Sequence, residues 1–326
     1  YEIHERLVGS EMCIRDRKNS DLKVSRICIG GCPMGMYGWG KTNADDLANS
    51  VRTALENGIN FFDTAATYGL GVSESILGKA LGAERSKVVI SDKFGVRAEK
   101  GKPTVYDNSK DYIISACEDS LKRLGTDYID IYTVHYRDNK TPLAQVVQTL
   151  ELLRKQGKIR YFALSNVHTA DMQEVREYSK YFVSVQNEYS LACRKYEKEL
   201  LAFRDECGLT PLTWGSLGQG ILSGKYNESN VSFGADDRRS RDIYVNFHGE
   251  KLKKNLETVK VLRQISQKTG KPVTAVAIRF IMDNINDSAV LTGVKNPAQV
   301  LQNVAAVDWH LSDEDMRALL KVSSVD

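Results

Sequence analysis

The hydrophobic and polar positions of the chain follow two alternating periods after Leu22. Short runs rich in β-branched and aromatic residues, typical of buried strands, lie at 26–30, 60–63, 88–93, 129–135, 159–165, 182–186, 209–214 and 289–293. Longer stretches with the 3.6-residue period of amphipathic helices lie between them, among them 44–57, 109–124, 143–156 and 169–178. A glycine follows three of these stretches, at Gly58, Gly125 and Gly157, where a helix commonly stops.

Strands that alternate with helices form right-handed β-α-β units and a parallel sheet. Eight such units favour a closed (β/α)8 TIM barrel over an open sheet. A doubly wound dinucleotide-binding sheet would carry a G-x-G-x-x-G turn after its first strand, whereas this chain has GGCPMG at 30–35. No linker divides the chain, so we expect one barrel domain with a long irregular lid loop, 223–249, after the seventh strand.

Composition and charge narrow the possible functions. The 326 residues are 42% hydrophobic and 27% charged, and the net charge of +3 is spread evenly, which does not favour nucleic acid or a membrane surface as a partner. No apolar run approaches the ~20 residues of a membrane span. The six cysteines contain no C-x-x-C pair and no metal-ligand spacing, so we expect reduced thiols, no metal site and a cytoplasmic location.

Residues 1–17 differ from the rest of the chain. They have neither the apolar core of a signal peptide nor a clear periodicity. The stretch VGSEMCIRDR at 8–17 resembles translated sequencing adapter fused to gene models. We expect residues 1–17 to be a non-native leader and the barrel domain to span 18–326.

Polar residues stand at the carboxyl ends of three consecutive strand-like runs. Asp63 and Tyr68 follow the second run, Lys93 ends the third and His135 ends the fourth. Each residue alone has an ordinary interpretation: a turn cap, a loop aromatic, a solvated strand end and a satisfied core histidine. Because barrel enzymes carry their chemistry at these strand ends, we expect the four side chains to converge.

The four side chains form a chemically complete set. Free tyrosine has a pKa of ~10, and a buried Lys93 ammonium beside Tyr68 would lower it. Asp63 would keep that ammonium charged, since an unpaired buried ammonium is costly. His135 would hold a carbonyl oxygen near the tyrosine hydroxyl. A proton donor aimed at a carbonyl predicts an oxidoreductase that takes hydride from a cofactor.

Several motifs in order resemble the aldo-keto reductase superfamily, over about residues 20–322. They are NFFDTA at 60–65 with Tyr68-Gly69, KFG at 93–95, Val134-His135, GKIR at 157–160, LSN at 164–166 and QNEYS at 186–190. The likeness is greatest to the broad branch of bacterial enzymes and channel β subunits. It implies that Asp63, Tyr68, Lys93 and His135 are the catalytic tetrad, with Tyr68 as the acid.

The resemblance also implies a nicotinamide cofactor that lies extended across the barrel mouth. By position, Ser165, Asn166 and Gln186 would bind the carboxamide, and Trp214 would stack on the ring. The diphosphate would lie along Gly215, Leu217, Gln219, Gly220 and Lys225, although Gly215 lacks the hydroxyl that relatives commonly have there. The adenosine end would meet Gly293, Lys295, Gln299 and Asn303. A cation at Lys295 favours NADPH over NADH, because a 2′-phosphate needs a positive partner.

Substrate residues are expected on the loops that follow the strands. The candidates are Tyr37, Trp39, Tyr136 and Arg137, with Met36, Asn187 and Tyr189 as further lining residues. The aromatic side chains suggest flat or hydrophobic carbonyl compounds, and Arg137 is a candidate partner for an anionic substituent. We expect a small-molecule carbonyl substrate, broad tolerance and a possible homo-oligomer.

Two other functions stay open at this point. One is a slow NADP(H)-binding redox sensor or regulatory subunit. The other is a sugar-modifying enzyme that uses hydride transfer transiently, for elimination or epimerisation. The sequence alone favours NADPH-dependent reduction of an aldehyde or ketone.

Overall fold

The computed structural model describes residues 20–323 and the backbone of Cys13–Ile14. Eight parallel strands close into a barrel in chain order, and the last pairs with the first. They are β1 (Ile27–Gly30), β2 (Phe61–Asp63), β3 (Val89–Phe94), β4 (Ile129–Val134), β5 (Ile159–Ser165), β6 (Phe182–Glu188), β7 (Thr210–Trp214) and β8 (Ala289–Gly293). The (β/α)8 barrel expected from the sequence is confirmed.

Helices surround the barrel in the described part of the chain. They are α1 (Ala44–Glu56), α2 (Val72–Leu81), α3 (Lys110–Leu124), α4 (Leu143–Lys155), α5 (Met172–Tyr178), α6 (Glu197–Cys207), α7 (Gly249–Thr269), α8 (Val273–Asn284), α9 (Pro297–Val304) and α10 (Asp313–Val322). The carboxyl ends of the strands, and the loops that leave them, therefore form one face of the barrel.

Each barrel strand is buried on both faces. One set of side chains fills the barrel interior, with Phe61 and Ile131 among them, and Leu22 and Val24 pack against this set. The alternate residues pack between the strands and the helices. Because side chains alternate along a strand, Lys93 and Asp92 project to opposite faces of β3.

Three loops rise above the carboxyl ends of the strands. The loop after β1 includes a 3-10 turn, Cys32–Gly35, and the segment after β3 forms a short hairpin, Val96–Arg97 with Val105–Tyr106. The long loop after β7 contains 3-10 turns at Gly218–Ser223, Arg238–Ser240 and Val245–Phe247. We call residues 223–248 the lid.

The predicted leader lies outside the described residues except for Cys13–Ile14, whose backbone pairs antiparallel with Val24–Ser25. Within residues 20–323 no helix is long and apolar enough to cross a membrane. The five cysteines in this range carry free thiols.

A buried acidic cluster lies between β3 and the helices. Glu74 on α2 is fully buried and receives two hydrogen bonds from Arg123 on α3, at 2.6 and 3.1 Å. Asp92 is also fully buried, and neither of its carboxyl oxygens has a hydrogen bond of good geometry, although the Ser120 hydroxyl and the Lys93 backbone N–H act in favour of its charged form. Burial, and then the negative charge of Glu74, raise the pKa of Asp92 well above its usual value. At a pH between the ordinary pKa of the side chain and this raised pKa, the folded protein therefore holds a proton on Asp92 that the unfolded chain releases.

We expect Asp92→Asn to remove a pH-dependent loss of stability. Because the folded state binds the extra proton, the free energy of unfolding falls as the pH rises above the unfolded pKa of ~3.9, by up to ~1.4 kcal/mol per pH unit until the folded pKa is reached. Asparagine carries no such proton. The free energy of unfolding of the variant, measured in urea, should therefore rise relative to that of the parent from pH 5 to pH 8. Asp127→Asn, at an exposed site, serves as the control. A constant difference between Asp92→Asn and the parent across this range would contradict the expectation.

Candidate active site

The barrel brings the four predicted catalytic residues together at one end. Asp63 is the last residue of β2, Lys93 lies near the end of β3 and His135 follows β4 directly. Tyr68 lies in the turn after β2, where its N–H donates to the carbonyl of Ala65 at 3.0 Å. These positions follow from the parallel register of β2, β3 and β4, in which Asp63 pairs with Ser91 and Lys93 pairs with Thr133.

Lys93 is the centre of the group. Its Nζ donates to Oδ1 of Asp63, to the carbonyl of Thr64 at 2.9 Å and to the hydroxyl of Tyr68 at 3.3 Å. Lys93 and Asp63 are each only 2% exposed, so they form a buried ion pair. Burial disfavours the ammonium, but the Asp63 carboxylate and the Tyr68 hydroxyl outweigh burial and raise the pKa of Lys93. Lys93 is therefore a fixed positive charge beside the tyrosine.

The resting state of Tyr68 differs from the sequence-based expectation. Lys93 does act to lower the pKa of the phenol, as expected, but burial has the larger effect and the pKa of Tyr68 is raised overall. The phenol therefore stays protonated over the physiological pH range. It can act as an acid only when the reacting carbonyl oxygen develops negative charge, and Lys93 then stabilises the tyrosinate.

His135 is neutral. Burial, and then the charge of Lys93, hold its pKa well below the usual value. Its ring lies edge-on to the Tyr68 ring, with centroids 6.0 Å apart and an interplanar angle of 88°. Its buried Nδ1 has no hydrogen-bond partner among the described residues. A neutral imidazole can orient a carbonyl oxygen without competing with Tyr68 as the proton donor.

The three residues expected at a carboxamide lie beside this group. Gln186 donates from Nε2 to Oδ2 of Asp63 at 2.8 Å, which links β6 to the Lys93–Asp63 pair. Ser165 donates from Oγ to the carbonyl of Gln186 at 2.9 Å. Asn166 donates from Nδ2 to the carbonyl of His135 at 2.9 Å and to the Ser165 hydroxyl at 3.0 Å. One hydrogen-bonded network therefore joins the expected carboxamide site to the tetrad.

A glycine-rich turn follows Trp214. Gly215 has φ +67°, and a Cβ on it would meet the Glu188 side chain at 3.2 Å, so the backbone conformation and the neighbour both favour glycine there. Gly218, Gln219 and Gly220 also have positive φ, at +55°, +56° and +102°. Leu217 starts this turn by accepting the N–H of Gly220 at 2.9 Å.

The indole Nε1 of Trp214 is buried without a hydrogen-bond partner among the described residues. Gln219 connects the turn to its surroundings, since its side chain accepts from Asn246 at 2.6 Å and donates to Glu188 at 3.4 Å. The turn is thereby attached to both the lid and the end of β6.

A cluster of cations lies farther along the mouth. Burial, and then the charges of Arg239 and Lys225, lower the pKa of Lys295 to about 8. Lys295 donates from Nζ to the carbonyl of Trp39, and its backbone N–H donates to the Gln299 side chain at 2.9 Å.

Two further residues of the expected adenosine site lie nearby in the chain. Asn303 is 2% exposed, and its Nδ2 has no partner in residues 20–323. Gly293 is close to Pro33, because a Cβ on it would meet the proline ring at 2.9 Å. The Lys295 ammonium, within electrostatic reach of Arg239 and Lys225, and the unpartnered amide of Asn303 suit a phosphorylated nucleotide.

Aromatic rings line one side of the mouth. The ring of Tyr136 packs in a tilted arrangement against the rings of His135 and Tyr106, with centroids 5.0 and 5.2 Å away. Tyr37 and Met36 are exposed by 55% and 43%. Tyr106, which the sequence analysis did not name, lies in a short Val-Tyr strand after β3 and is 50% exposed.

Some expected lining residues have internal partners instead. Tyr189, named as a further lining residue, is fully buried, with its hydroxyl donating to Glu197 and accepting from Asn284, each at 2.6 Å. Asn187 is also fully buried and donates to the carbonyl of Val167 at 2.7 Å. Tyr189 is held by α6 and α8, and Asn187 is held by the backbone of the loop after β5, neither of which the sequence revealed.

Arg137 and Trp39 are also engaged within the protein. Arg137 pairs with Glu174 of α5 at 3.0 Å and donates to the carbonyl of Thr141 at 3.2 Å. Trp39 donates from its indole to Cys32 Sγ at 3.1 Å and lies edge-on to Tyr244 of the lid, with centroids 5.8 Å apart. The loop after β1 is therefore in contact with the lid.

Comparisons with known proteins agree with this geometry. The profile described as the aldo/keto reductase family matches residues 26–324. The chain is 32% identical over 302 residues to the aldo-keto reductase YhdN of Bacillus subtilis, covering 92% of this chain and 90% of that protein. It is also 32% identical over 315 residues to the NADH-specific methylglyoxal reductase of Escherichia coli, covering 91% and 94%.

A solved structure extends the likeness to three dimensions. The glycerol dehydrogenase AKR11B4 from Gluconobacter oxydans superposes with a TM-score of 0.85 at 31% identity, over 96% of this chain and 95% of that one. The buried tetrad lies at the mouth of a barrel that matches throughout. The chain belongs to the aldo/keto reductase family of oxidoreductases.

Proposed function

We propose that the protein reduces aldehydes or ketones to alcohols with NADPH, and that Tyr68 is the general acid. The observation that carries the proposal is the Lys93 ammonium, which is buried against Asp63 and hydrogen-bonded to the Tyr68 hydroxyl at 3.3 Å. A fixed positive charge next to a protonated phenol stabilises the anion that proton donation leaves behind.

The residues at the mouth suit a nicotinamide cofactor. Ser165, Asn166 and Gln186 present polar groups next to the tetrad, and Trp214 ends β7 with part of its side chain exposed. The glycine-rich turn after Trp214 lets backbone groups approach phosphate oxygens. When bound, the nicotinamide supplies the hydride.

Side chains of the protein carry out the proton transfer. Tyr68 gives its hydroxyl proton to the carbonyl oxygen, and Lys93 stabilises the resulting tyrosinate. Asp63, held by Gln186 at 2.8 Å, keeps Lys93 charged and in place. His135 is neutral and therefore suited to orient the carbonyl oxygen by a hydrogen bond.

A carbonyl panel tests the proposal. Purified protein is incubated with aromatic and aliphatic aldehydes, ketones and sugars, and nicotinamide oxidation is followed at a fixed pH with NADPH or NADH. The proposal expects cofactor consumption with several aldehydes. Tight NADPH binding with no turnover on any carbonyl would instead favour a redox sensor, and sugar conversion without net cofactor consumption would favour transient hydride transfer.

The cofactor preference is expected to depend on Lys295. A charged lysine beside Arg239 and Lys225 suits a 2′-phosphate, so Lys295→Ala should weaken NADPH binding ~10-fold or more while NADH changes little. Because the pKa of Lys295 is about 8, NADPH binding to the parent should also weaken from pH 7 to pH 9 as this charge is lost.

Fluorescence titration with both cofactors measures this preference. Lys295→Arg keeps the charge and should keep most of the NADPH affinity, and Lys321→Ala, on the exposed face of α10, is a control for net charge. An equal loss of affinity for NADPH and NADH would mean that Lys295 does not bind the 2′-phosphate. The NADH-specific relative makes this comparison necessary.

A further inference from the structure

Two adjacent arginines of the lid have different surroundings. Arg239 is buried and donates to Asp237 at 2.8 Å and to the hydroxyl of Tyr226 at 2.8 Å. Arg238 instead contacts the loop after β1, where its backbone N–H donates to the carbonyl of Gly38 at 2.9 Å. Its guanidinium lies over the ring of Tyr37, 4.9 Å from the centroid. The two side chains therefore contact different parts of the mouth.

Gly38 allows the close approach of Arg238. A Cβ at Gly38 would come within 2.5 Å of Arg238 Cγ and 2.8 Å of its Nε, and Gly38 has φ +75°. The aromatic face of Tyr37 and the bare backbone at Gly38 together position the guanidinium.

The Arg238 guanidinium has no counter-ion among the described residues. No carboxylate of this range lies within 4.0 Å of it, and its Nε is buried without a hydrogen-bond partner. Two other arginines are paired with carboxylates, the buried Arg239 with Asp237 and the half-buried Arg123 with Glu74. Arg238 itself is half-buried, but a buried N–H without a hydrogen-bond acceptor is costly, so the position suits an anion from outside the chain.

Arg238 contacts the loop after β1, and this loop also reaches the tetrad. A Cβ at Gly35 would come within 2.6 Å of the Tyr68 backbone, and Cys32 in the same loop accepts a hydrogen bond from the Trp39 indole at 3.1 Å. Burial raises the pKa of the Cys32 thiol, and the charge of Arg238, the indole of Trp39 and the charge of Lys93 oppose this rise. Cys32 therefore lies within electrostatic reach of both Arg238 and the Lys93–Asp63 pair. The cations that act on Lys295, by contrast, are Arg239 and Lys225.

We propose that Arg238 binds an anionic substituent, a carboxylate or a phosphate, of the carbonyl substrate and so makes the enzyme select negatively charged aldehydes or ketones. This inference rests on the proposed carbonyl reduction and names its substrate class. It assigns to Arg238 the part that the sequence suggested for Arg137, which is paired with Glu174 in the fold.

Two aldehydes of similar shape test the selection. Benzaldehyde and 4-carboxybenzaldehyde differ by one carboxylate, and kcat/KM is measured for each with the parent, Arg238→Met and Arg238→Lys. A charge-assisted hydrogen bond predicts a loss of ~10- to 100-fold for 4-carboxybenzaldehyde in Arg238→Met, with benzaldehyde changed less than ~3-fold. Arg238→Lys should recover part of the loss. Arg241→Met, at an exposed position of the same lid, should leave the ratio of the two substrates unchanged.

Binding of benzoate, followed by quenching of tryptophan fluorescence, gives a second readout without turnover. We expect Arg238→Met to weaken benzoate binding ~10-fold and Arg241→Met to leave it unchanged. A parent protein that binds benzoate through Arg238 but oxidises no NADPH would refute the proposed function and retain the anion site.

The NADPH dissociation constant distinguishes the other source of an anion. If Arg238→Met weakens NADPH binding and lowers kcat/KM for both aldehydes equally, the cofactor diphosphate is the partner of Arg238 and the proposal is overturned. Unchanged kinetics on both aldehydes together with unchanged benzoate binding would overturn it as well.

Discussion

A Tyr68→Phe variant should lose nearly all carbonyl reduction, with kcat falling by ~10³-fold or more, because the hydroxyl that is hydrogen-bonded to the buried ammonium is removed. The phenyl ring retains the volume of tyrosine and its edge-on packing against His135. The fold and the cofactor affinity should therefore remain, with the NADPH dissociation constant changed by less than ~3-fold. Stopped-flow reduction of a reactive aldehyde, beside fluorescence titration with NADPH, measures both quantities.

The control for this variant is a neighbouring tyrosine outside the tetrad. Tyr106→Phe keeps the stacked ring but removes a hydroxyl from the same mouth, so it should retain most of the activity. If Tyr68→Phe reduces aldehydes at the parent rate, Tyr68 is not the acid. If both variants lose activity equally, a shared loss of pocket structure is the better explanation.

Lys93→Met should combine loss of activity with a large loss of stability. Removing the ammonium leaves the 2%-exposed Asp63 carboxylate without its ionic partner, and breaking a buried ion pair costs ~3–5 kcal/mol. Asp63 would keep the hydrogen bond from Gln186 at 2.8 Å, which does not replace the positive charge. The free energy of unfolding in urea measures the effect, and kcat should fall at least ~10²-fold.

The double variant Asp63→Asn/Lys93→Met separates the two losses. It removes both charges, so most of the stability should return while the activity stays lost. A double variant as unstable as Lys93→Met would mean that the stability loss comes from packing and not from the unpaired carboxylate. Return of activity in the double variant would contradict the role assigned to Lys93.

The convergence of the tetrad was predictable because it depends on short-range rules. Parallel strands place their carboxyl ends together, and the two-residue period sends Lys93 inward and Asp92 outward. The ionisation of Tyr68 was not predictable, since burial acts against Lys93 and burial depends on packing of the whole mouth. The raised pKa of Asp92 was not predictable either, because its burial next to Glu74 depends on how α2 and α3 pack against β3.

The loops were the least predictable part. Their conformations depend on contacts between residues far apart in the chain, such as Trp39 with Tyr244, which no local period reveals. For the same reason the ion pair of Arg137 with Glu174 on α5 could not be predicted. Arg238 is found only once the lid is placed next to Tyr37.

The hydrogen bond from Lys295 to the Trp39 carbonyl joins two regions that the sequence separates widely. An anion that binds the Lys295 ammonium in place of the Trp39 carbonyl removes a hydrogen-bond donor from the loop that carries Trp39. Thermodynamic linkage makes this effect reciprocal, so a change in the loop alters affinity at Lys295 by the same factor. Anion binding at Lys295 and the conformation of the loop that carries Trp39 are therefore thermodynamically coupled.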